Sequence, residues 1–166
     1  MKYRHIATAY LALATPALAQ LAPPSAAEVR ADPTIQMFLE DLPPGQTGGV
    51  ISGVASYSKA AKGWWIEYRC HFAQSMNAGN FHDDLAVLTD SMRMLFRLRL
   101  NATAQEADEY TQKIQMYALS EVSGEKFYDC GDRARDVFTK GYAETQRYAA
   151  FIKSHPAASK DGAGVP

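Results

Sequence analysis

Residues 50–72, VISGVASYSKAAKGWWIEYRCHF, decide the fold. Read at steps of three and four, Val50, Val54, Tyr57, Ala61, Trp64, Trp65, Tyr68 and Phe72 form one stripe that continues to Met76, the pattern of a helix with a buried face. Read at steps of two, Trp64, Ile66, Tyr68, Cys70 and Phe72 alternate with Trp65, Glu67, Arg69 and His71. Aromatic and branched residues suit a strand, so the rival is a β-hairpin at about 50–72 turning near Lys59 to Gly63. Gly53 and Gly63 each cost a helix about 1 kcal/mol relative to alanine. The three-to-four spacing runs far longer than the alternation. The segment is therefore read as a helix, capped by Thr47 and ended by Gly79.

The flanking sequence reads as helices joined by short connections. Ser25-Ala26-Ala27-Glu28 fits a capping box, in which the two side chains satisfy each other's backbone amides. Asp32-Pro33 is a cap residue followed by proline at the first helical position, and Ile35, Phe38, Leu39 and Leu42 follow on one face up to Pro43-Pro44-Gly45. Asn80 opens a helix to about Arg99 with Leu85, Leu88, Met92, Leu95 and Phe96 inward, Asp83 and Asp84 in its first turn, and Arg97 and Arg99 in its last. Thr103-Ala104-Gln105-Glu106 is a second capping box. It opens a helix with Ala107, Tyr110, Ile114, Tyr117, Ala118 and Val122 on its face, ended by Gly124. A last helix after Asp132 presents Ala134, Phe138, Gly141, Thr145, Tyr148 and Ile152 and stops at Pro156. The expectation is an all-α, up-down four-helix bundle with a short extra N-terminal helix.

At the N-terminus, Lys2 and Arg4 precede an apolar run from Ile6 to Thr15, and Ala17-Leu18-Ala19 supplies the small residues of a cleavage site before Gln20. The apolar run is shorter than the roughly 20 residues needed to span a bilayer. The expected organisation is a signal peptide at 1–19, a leader at 20–32, one helical domain at 33–153 and a disordered tail at 154–166. The expected location is periplasmic or secreted.

The whole chain carries a formal charge of −1, and loss of Lys2 and Arg4 with the signal leaves −3. That balance argues against a nucleic-acid partner, which needs a basic surface. No stretch of the mature chain is long and apolar enough to span a membrane. The two cysteines, Cys70 and Cys130, are 60 residues apart with no CxxC pairing, so in an oxidising compartment they are expected to join each other. In an up-down bundle the first and fourth long helices are neighbours, which brings the two within reach. One detail fits badly: at 100° per residue Cys70 points away from the Trp65 and Tyr68 stripe. The helix must therefore bury two faces, and cover by residues 35–42 is the expected remedy.

The sequence lacks the nucleophile elbow, the phosphate-binding loop, the dinucleotide-binding glycines, the HExxH zinc motif and the haem-attachment motif. No catalytic residue, cofactor or metal ligand is assigned. His82-Asp83-Asp84 fan out over a helix start and cannot converge on a metal, and helix-end electrostatics accounts for the acids. Cys70-His71 diverge in the same way, with the thiol expected to be paired. Asn101-Ala102-Thr103 matches a glycosylation sequon that the Thr103 cap already explains, and Arg93, Arg97 and Arg99 suit a helix C-terminus. Adjacent Trp64 and Trp65 cannot both face one core. With Tyr68 they are the candidate partner-binding residues. The functional expectation is an exported small helical binding protein acting through a protein partner in an inhibitor, immunity or chaperone-like role. That partner is an envelope enzyme, a client, or a second copy of the chain. The alternative is a small exported hydrolase or metal-dependent protein with a site assembled from several helices.

Overall fold

The computed structural model describes residues 25–47, 49–75 and 78–154. The signal peptide expected at 1–19, Met76, and the tail from residue 155 lie outside the described residues. The chain forms α1 (Ala26–Ala31), α2 (Pro33–Glu40), α3 (Ile51–Cys70), α4 (Ala78–Arg99), α5 (Ala104–Val122) and α6 (Asp132–Ser154). Single 3-10 turns at Phe72–Ser75 and Glu125–Phe127 precede α4 and α6. Residues 51–70 are helix throughout, so the hairpin alternative falls.

Three helix starts follow the chemistry of their caps. Ser25 with Glu28 and Thr103 with Glu106 form complete capping boxes, and Asp32 accepts the Ile35 amide with Pro33 behind it. The capped amides hold the Glu28 and Glu106 carboxyls below their ordinary pKa. α1 lies within the stretch read as a leader, and its Val29 is buried in the core.

Three boundary expectations and one charge assignment are corrected. α3 starts after Val50, which makes no side-chain cap, and Thr47 contributes only its carbonyl to the Val50 amide. α3 ends at Cys70 rather than Gly79. His71 takes a left-handed conformation (φ 53°), and the buried Glu67 carboxylate accepts the Ala73 amide at 2.8 Å, closing the turn. α4 begins at Ala78, so Asn80 is inside the helix and does not cap it. Asp83 and Asp84 accordingly sit in its second turn. Arg93 is not a helix-end charge: it bridges Asp90 and Asp108, tying α4 to α5.

The long helices run up, down, up, down with α3 central. α6 lies antiparallel to it, bringing Cys130 beside Cys70, Gly141 beside Gly63 and Arg147 beside Ser56. α5 lies parallel to it, with Gln115 on Tyr57 and Glu121 on Lys62. α4 lies antiparallel, with Thr89 on Tyr57 and Phe81 on Trp64. α3 is therefore buried over almost its whole circumference from Gly53 to Gly63. This resolves the orientation of Cys70, which lies on the face turned to α6 (Ser56, Lys59, Gly63, Cys70). The cover on that side is α6. The expected remedy was wrong, because α2 packs chiefly on α5. Phe38 of α2 meets Phe96 and Tyr110, and the Tyr117 hydroxyl donates to Asp41 at 2.6 Å, lowering the Asp41 pKa and raising that of Tyr117.

The Cys70–Cys130 bond is present, with Cα atoms 5.6 Å apart. Where α3 and α6 cross, backbone meets backbone: a Cβ on Gly63 would sit 2.7 Å from the Gly141 Cα, and a Cβ on Gly141 2.6 Å from both the Gly63 Cα and the Lys59 carbonyl oxygen. Gly63 is thus a requirement of packing, and the propensity it costs the helix is the smaller effect.

An ion triad docks the N-terminal helices. Lys62 is 8% exposed and its ammonium lies 2.8 Å from Asp32 and 2.6 Å from Glu121. Ser58 donates to Asp32, and Thr34 donates to Glu121. Two carboxylates this sheltered need the cation between them. Lys62→Met keeps the side-chain length and removes the charge. It is expected to cost about 2–3 kcal/mol, somewhat less than a fully buried pair because both acids keep partial solvent access. A urea denaturation curve unchanged from wild type would contradict this.

Candidate functional site

Packing α3 against both α4 and α5 leaves a cleft lined by all three helices. The cleft encloses about 300 Å³ and is lined by Ala61, Trp64 and Trp65 of α3, His82, Leu85, Ala86, Thr89, Asp90 and Arg93 of α4, and Gln115 of α5. Leu85 and Ala61 bring an apolar floor. Trp64 packs against Phe81 with ring centres 5.6 Å apart, and against His82 at 5.5 Å. The Trp65 indole N–H donates to the Gln115 carbonyl at 3.1 Å. Both indoles are anchored against the core on one side and are only partly buried.

Beneath Thr89 and Gln115 runs a directional chain of hydrogen bonds. The Gln115 amide donates to the Tyr57 hydroxyl at 2.5 Å, which leaves that hydroxyl to donate to Thr89 Oγ1 at 3.1 Å, and Thr89 donates to the Leu85 carbonyl at 2.8 Å. Burial is the largest influence on Tyr57 and raises its pKa, so it stays a protonated donor. At one end of the cleft Arg93 bonds Asp90 at 2.7 Å and is paired with Asp108.

Of the residues singled out from sequence, Trp64 and Trp65 come together on this cleft. Tyr68 stands beside Trp65 in an edge-to-face contact but lies outside the cleft, 67% exposed. Cys70 is in the disulfide, and His71 is exposed at the α3 terminus. His82 and Asp83 are exposed with 3.6 Å between them. Among the described residues no three His, Cys, Asp or Glu side chains are grouped so as to hold a metal ion. Sequence reasoning missed Ala86, Thr89, Asp90 and Gln115. Each is an ordinary helix residue, and only the packing of α4 and α5 on α3 gives it a role.

A second, more polar groove of about 700 Å³ lies along α1, α3 and α6, lined by Glu28, Asp32, Lys59, Lys62, Glu121, Lys140 and Glu144 among others. Its charges are largely committed to one another. Lys62 holds Asp32 and Glu121, Lys59 lies 3.9 Å from Glu28, and Arg147 takes Glu144 at 2.6 Å.

No helix among the described residues is long and apolar enough to cross a membrane. Comparison with protein-family models, curated proteins and solved structures finds no match to this chain.

Proposed function

We propose that this is an exported, small helical binding protein that works through a protein partner, with the Trp64–Trp65 cleft as its docking point. The observation that carries the reading is the cleft itself: both tryptophans of the chain line one concavity and are only partly buried there. Aromatic anchors in a concave site are the usual energetic centre of a protein interface. Pairing of both cysteines supports the exported part, since such bonds persist in oxidising compartments. The signal-like N-terminus, Lys2 and Arg4 followed by an apolar run and Ala17-Leu18-Ala19, supports it further.

A photo-crosslinking residue at Ala86, exposed on the lip of the cleft, tests this in envelope extract against the same residue at exposed Ala150 of α6. The expected result is a discrete adduct from position 86 alone, lost in Trp64→Ala and Trp65→Ala proteins whose dichroism remains helical. Its mass separates an envelope enzyme from a second copy of the chain. An adduct insensitive to both tryptophans, or none at position 86, overturns the reading.

A further inference from the structure

We infer that the cleft receives a basic side chain, an arginine of the partner; this rests on the docking reading above and specifies its chemistry. On the cleft floor one N–H of the Gln115 amide, the Tyr57 and Thr89 hydroxyls and the Trp65 N–H are engaged in internal bonds. The floor offers an incoming donor two acceptors, the Gln115 carboxamide oxygen and the second lone pair of Thr89. The walls are two indoles, whose π-faces attract cations and are the best of the aromatic side chains at doing so.

The charge around the mouth has the matching sign. Arg93 is the one permanent cation among the lining residues, and it is bound to two carboxylates, Asp90 and Asp108, so that end carries a net negative charge. At the other end Asp83 stands exposed beside His82. An anionic group would meet these acids, with the Arg93 charge already balanced by two carboxylates. An aliphatic group would leave the acceptors unsatisfied. A guanidinium is planar, rich in donors and able to stack on an indole while bonding a carboxylate such as Asp90, which is 75% exposed.

Because the chain's only tryptophans both line the cleft, their indole N–H signals in two-dimensional NMR report this site alone. The probes are the capped tripeptides Gly-Arg-Gly, Gly-Leu-Gly and Gly-Glu-Gly titrated into the full-length oxidised protein. The arginine peptide should shift both indole signals with a millimolar dissociation constant, as expected for one captured side chain. The shifts should weaken as salt is raised. Asp90→Asn, an exposed substitution that leaves the fold intact, should weaken the peptide about fivefold. The glutamate peptide should not bind.

Leucine binding as well as arginine, no response to the arginine peptide, or no effect of Asp90→Asn overturns the cation assignment, and the crosslink at Ala86 then judges the docking reading separately. Arginine binding without any crosslinked protein sustains the assignment of the cleft and overturns the protein partner.

Discussion

Reduction of the Cys70–Cys130 bond is expected to lower the free energy of unfolding by about 4 kcal/mol, the chain-entropy value for a loop of 60 residues. The bond joins the last residue of α3 to the residue before the turn that starts α6, and Cys130 there sits at a φ of 49°. A left-handed conformation costs a non-glycine residue about 1 kcal/mol. Release of the bond lets that residue relax, which offsets a small part of the loss. A double Cys70→Ser, Cys130→Ser protein should reproduce the effect without reductant. Urea midpoints of the oxidised, reduced and double-serine forms measure it, with alkylation and intact mass reporting thiols in each. Two alkylatable thiols in the unreduced protein, or coincident midpoints, would contradict the prediction.

Gly141→Ala is expected to cost about 3 kcal/mol, although alanine favours a helix interior by about 1 kcal/mol over glycine. The added carbon would lie 2.6 Å from the Gly63 Cα and from the Lys59 carbonyl oxygen. Both are backbone atoms of a helix, so no side chain can swing away and the two helices must part. Gly63→Ala meets the Gly141 Cα at 2.7 Å and should behave alike. Gly124→Ala is the control, with nothing within 4 Å of the new carbon, and should change stability little. If Gly141→Ala melts with the wild type, α3 and α6 do not cross in backbone contact.

The helices were legible in the sequence because capping is local. Ser25 with Glu28, Asp32 with Pro33, and Thr103 with Glu106 mark three starts, and each side chain bonds the amide the sequence assigns to it. The apolar faces of α4, α5 and α6 likewise match the buried residues, from Leu88 and Met92 to Ala134 and Tyr148. The end of α3 was not legible. It depends on Glu67 capturing the Ala73 amide, while the periodicity runs on through Phe72, which leaves the helix and packs on Phe138 with Arg135 over its ring. Nor was the purpose of Gly63, because its partner Gly141 lies three helices further along the chain. The cleft was half legible. The tryptophan pair announces itself by being adjacent, whereas Thr89, Asp90 and Gln115 acquire meaning only from tertiary packing.

The pairing of α3 with α6 also bears on the order of assembly. The central helix is made before α4 and α5, yet the helix it packs on most extensively, α6, follows both, so this pairing must wait for the helices between. In that interval the α3 surface awaiting α6 is Ser56, Lys59 and Gly63, which is small and polar and offers other chains little to adhere to. The apolar surface left open until α6 arrives lies instead at Phe72 and Phe81, which Phe138 covers in the finished molecule.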